Sequence, residues 1–470
     1  MKARDVCIYM TVFLFLSGSC SDNDLPWDLH GNLIVDKGSR YLSYEDGTPF
    51  LWLGCTSWGM TEWLSREEVD YYLDDRKSKG MNVVQLCLFF GKRTEAPLRF
   101  PLNAPNYYGY KAFEESDSLP DVTRPAIVNG GTPDNPDDYW DHVDYCLNAI
   151  KKRGMYAAVL PLWGRRYVNA SHPGFSAPIF TKENIFNYGK FLGERYGKEP
   201  NIIWVTGGDV KATQGGDYLP HYRLLAEGLL YGATRSEAKW NEDSGQWDEL
   251  LMTYHPDGTP MINSSEWFHT DSWLDFNMIE THIHRDKLVA AIQQDINREP
   301  IKPTILAEGH YEGYTGKYKA EAIHVRRQAY QTFFAGAAGY TYGGADDNMG
   351  NGPLFSPSNN WKILLNWKGA FQMKYLRIFL EENDWWRWED ASDLIQTGKG
   401  EGELQKICVR CRNKILVYFP DSSPCSIESV NIKKLQWFNP VNGATIIVEH
   451  DGTNYFTPPN GYEDGVLILK

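Results

Sequence analysis

Leu51-Trp-Leu-Gly-Cys-Thr-Ser-Trp58 is a short apolar run, and the loop, helix and terminating glycine after it recur along the chain. Ser65-Arg-Glu-Glu68 has the spacing of a capping box and opens an amphipathic helix. Gly80 stops that helix as its C′ residue, and residues 83–90 form the next apolar run. Asn135-Pro136-Asp137-Asp138 opens another helix, with proline at N1 and acids in the first turn. Gly154 ends it before a third run at 156–163. Thr181 caps a helix ending at Gly197, ahead of a fourth run at 202–206. Runs five to eight lie at 250–254, 276–284, 304–308 and 338–342, the last after a helix over 318–335. Helices near 361–367 and 370–380 close the set. Continuous apolar strands alternating with helices predict a parallel sheet buried on both faces. Eight is the number that closes a barrel. A doubly wound open sheet would carry a glycine-rich phosphate turn after an early strand, and none is present. The fold class expected is α/β, a (β/α)8 TIM barrel.

Outward from the barrel, residues 33–35 and 40–42 flank a turn and read as a small β cap. Beyond residue 384 the pattern changes to alternating runs at 406–412, 414–419, 445–448 and 466–469. Asn442-Gly443, Asp451-Gly452 and Pro458-Pro459 separate them, so a small antiparallel β-sandwich is expected. Trp385, Trp386 and Trp388 fall at the junction and read as packing between the two parts. At the other end, Lys2 and Arg4 precede an apolar stretch, Ile8 to Leu16, and the small residues Ser17, Gly18 and Ser19 lead into Cys20. This is the layout of an export signal with a lipidation site, too short for a spanning helix. Leu16 stands four residues before the cysteine rather than the usual three. The expected layout is a signal over 1–20, a solvated tether over 21–30, a catalytic barrel over 31–383 and the sandwich over 384–470. The protein would be exported and held by a lipid on Cys20 at the outer membrane, facing the cell surface or the periplasm.

Composition narrows the function. The 470 residues carry 61 acidic and 47 basic side chains, a net charge of −14. Without a basic stripe, nucleic acid is a poor partner, since phosphate neutralisation supplies most of that affinity. Seventeen tryptophans suit a site that stacks sugar rings, and equally a large core. Cys408-Val-Arg-Cys411 has a metal-like spacing, but on a strand positions i and i+3 face opposite sides, so no zinc or redox role is expected.

Catalytic groups of such a barrel sit at the C-terminal strand ends. The fourth run ends Trp204-Val-Thr-Gly-Gly-Asp209 and the seventh ends Ile305-Leu-Ala-Glu308-Gly309-His310. Two carboxylates from separate strands suit glycosidic cleavage, in which one protonates the leaving oxygen while the other attacks or activates water. Asp209 could instead cap a turn, and Glu308 could be a buried acid paired with an arginine. Glu312, just beyond, is the rival for the nucleophile.

The segments Leu51-Trp-Leu-Gly-Cys-Thr-Ser-Trp58, Trp204 to Asp209, Thr253-Tyr-His-Pro256 and Ala307-Glu-Gly309 resemble the apiosidase-like catalytic domain, typified by glycoside hydrolase family 140. Trp437-Phe-Asn-Pro-Val-Asn-Gly443 with Phe456-Thr-Pro458 is similar to the collagen-binding-type module that often follows it. The resemblance implies a barrel of the large retaining clan, with Asp209 as acid/base, Glu308 as nucleophile and no cofactor. Most members of that clan carry Asn-Glu where this chain has Gly208-Asp209. It also implies a carbohydrate substrate, such as a terminal apiose on a pectic side chain.

Other positions are candidates for substrate contact. Trp58 and Trp163 end the first and third runs, where an aromatic platform is useful, although core packing explains them as well. Arg165 could hold a sugar carboxylate or pair with a local acid, as could Arg166. Glu280, His282 and His284 alternate along the sixth run, so all three should share one face and could bond sugar hydroxyls. His-x-His also occurs at metal sites of barrel amidohydrolases, but there it stands on strand one, and no metal is expected here. Tyr342 ends the eighth run and Asp346 and Asp347 lie just past it; all three could contact substrate, and the two acids could equally be loop caps. A barrel that binds glycans without cleaving them is the alternative function, and it would lack one of the carboxylates. Collagen adhesion through the tail rests on a module name alone.

Overall fold

The structure is a computed structural model that describes residues 24–91, 102–172, 174–258, 262–314, 319–344, 361–429 and 431–470. Cys20 with the signal, and Asp346 and Asp347, lie outside the described residues. Eight parallel strands make one sheet: β1 (Trp52–Thr56), β2 (Val83–Cys87), β3 (Tyr156–Leu160), β4 (Ile202–Gly207), β5 (Met252–His255), β6 (Asn277–Glu280), β7 (Thr304–Glu308) and β8 (Gly339–Tyr342). Their order is β5-β4-β3-β2-β1-β8-β7-β6, so the sheet ends on two strands consecutive in sequence. Side chains and one backbone bond close that seam. The Asp275 N–H donates to the Met252 carbonyl at 2.9 Å, and the Met252 N–H donates to Asp275 Oδ2 at 2.6 Å. The Thr253 hydroxyl donates to the Phe276 carbonyl at 2.6 Å. The result is a (β/α)8 barrel whose strand residues are buried throughout, as the continuous apolar runs require.

The outer helices are α1 (Arg66–Ser78), α2 (Tyr139–Lys152), α3 (Ile185–Tyr196), α4 (Leu219–Thr234), α5 (Leu288–Ile296), α6 (Ala322–Phe334) and α7 (Lys368–Glu382). Ser65 and Glu68 form the capping box in both directions, at 3.3 and 3.2 Å. Helix α2 begins later than its proline suggests. Asp138 is the cap, accepting from the Asp141 N–H at 2.9 Å, and its other oxygen accepts from the Val128 N–H at 2.9 Å, which leaves Pro136 outside the helix. Helices α3 and α4 meet backbone to backbone. A Cβ on Gly193 would stand 2.1 Å from the Leu229 carbonyl, and one on Gly232 would stand 2.2 Å from that of Lys190.

Residues expected in the tether are partly structured. Pro26–His30 is a helical turn, and Trp27 lies edge-on to Tyr156 at 5.5 Å. Apolar contact outweighs the freedom of a solvated linker there. Tyr156 opens β3, so this turn and the small sheet of Leu33–Ile34, Leu42–Tyr44 and Pro49–Phe50 cover the barrel's N-terminal end.

The tail is two antiparallel sheets. Six strands run in the order Glu389–Asp390, Ile407–Cys411, Lys414–Phe419, Gly465–Leu469, Leu435–Phe438, Thr445–Val448. Three more, Ile395–Thr397, Cys425–Ile427 and Tyr455–Phe456, form the second sheet. Val417, Leu467, Trp437 and Phe456 fill the space between. The alternate residues Leu416, Tyr418, Val466 and Ile468 face the other way and join the barrel core. Tyr418 stacks on Tyr330 of α6 at 5.0 Å, and Trp388 packs on Phe334 at 4.7 Å. Cys408 belongs to the sandwich interior while the Cys411 thiol approaches the Asp384 carbonyl at 4.0 Å, so the two are on opposite faces.

Candidate active site

The C-terminal ends of β4 to β7 bring acidic groups to one mouth. Strand β4 stops at Gly207, and Gly207, Gly208 and Asp209 all have positive φ (89°, 111° and 51°). A Cβ on Gly207 would stand 2.5 Å from the His255 carbonyl, and one on Gly208 would stand 3.1 Å from the Gly164 nitrogen and from the Trp163 ring. The paired glycines thus let the chain turn tightly and bring Asp209 over the pocket. Asp209 forms an ion pair with Arg165, which in turn lies 3.0 Å from His172 Nε2. Burial, and then the charge of Glu308, push the Asp209 carboxyl up from its ordinary value despite the opposing arginine.

Glu308 ends β7 and is 6% exposed. Two groups flank its carboxylate, the first by a hydrogen bond. Tyr311 donates its hydroxyl to Oε1 and itself accepts from Trp58 Nε1 at 3.2 Å. His255, the last residue of β5, places Nε2 3.2 Å from Oε2. The other His255 nitrogen is 3.0 Å from the Pro256 carbonyl.

Two further acids complete the mouth. Glu280 ends β6, is 2% exposed, and has its carboxyl pushed well up by burial and by Glu308, Asp209 and Asp257. Asp257 follows β5 and is buried. Ligand atoms of His255, Glu280 and Glu308 lie within 4.8 Å of one another, and so do those of Asp209, Asp257 and Glu280. Either set has the size of a cation site. Both, however, include one of the two carboxylates expected to react, so an ion there would occupy the reacting groups themselves.

This fold and constellation match known proteins. Residues 36–387 match the family model of the apiosidase-like catalytic domain. The chain belongs to the apiosidase-like family. Residues 391–470 match a model named for the collagen-binding domain of a collagenase. Among solved structures, one titled a glycoside hydrolase is 27% identical, with 95% of this chain and 98% of that chain aligned at a TM-score of 0.76. A glycoside hydrolase family 5 protein from Bacteroides vulgatus is 28% identical, with 96% and 95% aligned and a TM-score of 0.77. No curated protein matches the sequence. Family and neighbours make this apiosidase-like chain a glycoside hydrolase.

Within the apiosidase-like barrel, the remaining candidates divide. Trp58 is 0% exposed and packs against Trp163 at 5.1 Å and His255 at 5.2 Å, so it underlies the pocket and offers no face to a sugar. Trp163, 4% exposed, lies past the end of β3 against Gly208. Tyr342 is enclosed too, and donates to Glu312 Oε2 at 2.6 Å. Glu312 also accepts from the Gly369 N–H at 3.0 Å, which fastens it between β8 and α7. Arg165 is committed to an acid of the site, and Arg166 is buried against the Phe175 carbonyl at 3.0 Å.

The sixth run behaves differently from its alternation. A register shift between Ile279 and Glu280 and a positive φ of 44° at His282 end the strand at Glu280. Glu280, His282 and His284 therefore do not share one strand face. His282 packs towards Tyr314 at 6.2 Å, and the His284 N–H closes a turn onto the Thr281 carbonyl at 2.8 Å. His255, Asp257, Tyr311 and Tyr314 escaped the reading from sequence. The first lies inside a family-like segment and was legible as a strand-end histidine. Tyr314, its hydroxyl pushed up to about 12 by burial and by Glu308, Asp209 and Glu280, carries no local signal.

Proposed function

We propose that the protein is an exported, lipid-anchored retaining glycosidase of plant polysaccharide, with Asp209 as acid/base and Glu308 as nucleophile. The observation that carries the roles is the difference between the two carboxyl environments. Asp209 is half-buried beside a second acid, and the loss of solvent and the neighbouring charge favour its protonated form. Glu308 accepts from the Tyr311 hydroxyl and has His255 Nε2 3.2 Å from its other oxygen, surroundings that suit a nucleophile.

In the first step a Glu308 oxygen attacks the anomeric carbon. The glycosidic C–O bond breaks, and Asp209 gives its proton to the departing oxygen. This leaves a glycosyl ester on Glu308 and Asp209 ionised. In the second step Asp209 takes a proton from water as the water oxygen attacks the anomeric carbon, and the ester C–O bond breaks to restore Glu308. Arg165 stabilises Asp209 during the interval in which it is ionised. Two inversions give net retention, and retention calls for carboxyl groups about 5–5.5 Å apart when substrate is bound.

Family membership favours a terminal furanose such as apiose on a pectic side chain as the substrate, and the segment ending at Cys20 favours export with a lipid anchor. A panel of plant oligosaccharides digested by wild type and by Asp209→Asn tests class and substrate together. Release by the wild type alone, with the anomeric proton of the first product in the substrate's configuration, is expected. Inverted product, or full release by Glu308→Gln, would refute the mechanism.

A further inference from the structure

Glu280 has no part in that mechanism, yet the fold places it at its centre. The register shift in β6 sets Glu280 opposite Glu308 rather than opposite Ala307. Bulges of this kind redirect a side chain beside active sites. The Glu280 carboxyl is held on one side by the Gly258 backbone, where an added Cβ would stand 2.8 Å from Oε1. Its Oε2 is buried, has no hydrogen-bond partner among the described residues and lies 3.8 Å from His255 Nδ1. The same carboxyl comes within 4.8 Å of Glu308 on one side and of Asp209 and Asp257 on the other. Asp209, by contrast, follows Gly208, which supplies no side chain to the mouth.

We propose that Glu280 is a substrate-positioning residue whose carboxyl, carrying a proton, bonds a hydroxyl of the sugar held between Asp209 and Glu308. The proposal rests on the glycosidase reading of the site. Charge makes the proton necessary. Among the described residues Glu280 faces Glu308, Asp209 and Asp257, with Arg165 to offset them and His255 and His282 at its edge. A third or fourth carboxylate in so dry a space would be unbalanced, and such a group keeps its proton instead. A neutral carboxyl then has one donor and one acceptor, set beside both reacting carboxylates. Left unmade, such a bond is costly, and a sugar hydroxyl supplies both halves. A site built this way discriminates against sugars that lack the hydroxyl.

Two measurements decide it. Infrared difference spectroscopy of wild type minus Glu280→Gln at neutral pH should show the C=O stretch of a protonated carboxyl. Its absence would overturn the proposal whether or not the enzyme is active. Kinetics on aryl furanosides and pyranosides should show Glu280→Gln within a few-fold of wild type in kcat/KM, because the amide still donates and accepts. Glu280→Ala should lose about ten- to a hundredfold on a cleaved substrate. Equal damage by both variants, reproduced by a chelator on the wild type, would make Glu280 an anionic metal ligand and refute the idea. If the wild type cleaves no glycoside, the glycosidase reading fails and takes the hydroxyl role with it. The infrared band then still reports the state of Glu280.

Discussion

Asp464→Asn should destabilise barrel and tail together. Arg326 of α6 is fully buried and reaches out of the barrel to the tail. Its Nε donates to Asp464 at 2.9 and 2.8 Å, its Nη2 lies 2.7 Å from Asp464 Oδ1 and donates to Glu463 at 2.8 Å, and its Nη1 donates to Gln372 at 2.7 Å. Asp464, also fully buried, accepts a further bond from Tyr418 at 2.9 Å. Replacing the carboxylate by an amide leaves the guanidinium buried against only Glu463, whose side chain is 63% exposed and a weak counter-charge. Removing one partner of a buried pair costs about 3–5 kcal/mol. Replacing both by apolar groups of similar volume is near neutral or better. In urea, with tryptophan fluorescence and far-ultraviolet circular dichroism read together, Asp464→Asn should move one shared transition to lower denaturant by that free energy. The double variant Arg326→Met/Asp464→Leu should recover most of it. A change below about 1 kcal/mol, or a tail that melts ahead of an unaltered barrel, would show that the pair does not join the two parts.

Removing the charge of Arg165, as in Arg165→Met, takes away what holds the Asp209 carboxyl down, so the alkaline limb of kcat/KM should move to higher pH; a limb that moves down would contradict the acid role. Glu280 keeps its proton above its ordinary value of 4.5 in the folded chain and loses it in the unfolded one. Wild-type stability should therefore fall relative to Glu280→Gln by about 1.4 kcal/mol per pH unit above 4.5, until the folded group itself titrates. Melting curves at several pH values measure that difference, and a pH-independent difference would contradict the burial. Gly207→Ala should cut activity at least tenfold, since its Cβ meets backbone rather than a mobile side chain and its φ is left-handed. Tyr311→Phe should lower kcat more than it raises KM on a cleaved glycoside, because the hydroxyl bonds Glu308 and no solvent-facing surface.

The barrel was legible because each strand is buried on both faces and so writes an unbroken apolar run. The runs overshoot the strands at the mouth: residues 57–58, 88–90 and 161–163 are buried yet follow the last ladder residue. Burial beneath the β→α loops demands the same residue types as burial in a strand, and sequence alone does not separate them. Asp209 and Glu308 could be chosen because strand ends are countable. The sixth run misled because a single register shift reverses which residues share a face, and nothing in Glu280-Thr-His-Ile-His284 announces one. Tryptophans intended as platforms turned out to be foundations. Trp58 reaches the chemistry by holding Tyr311 in place and by packing on His255.

The helical turn at Pro26–His30 bears on how the molecule faces its surroundings. It docks at the end of the barrel where β3 begins, and the mouth lies at the end where the strands stop. From Cys20 to Asp24 is four residues, a reach of about 14 Å at most. If Cys20 carries the proposed lipid, that short reach keeps the floor of the barrel near the bilayer and its mouth farther from it.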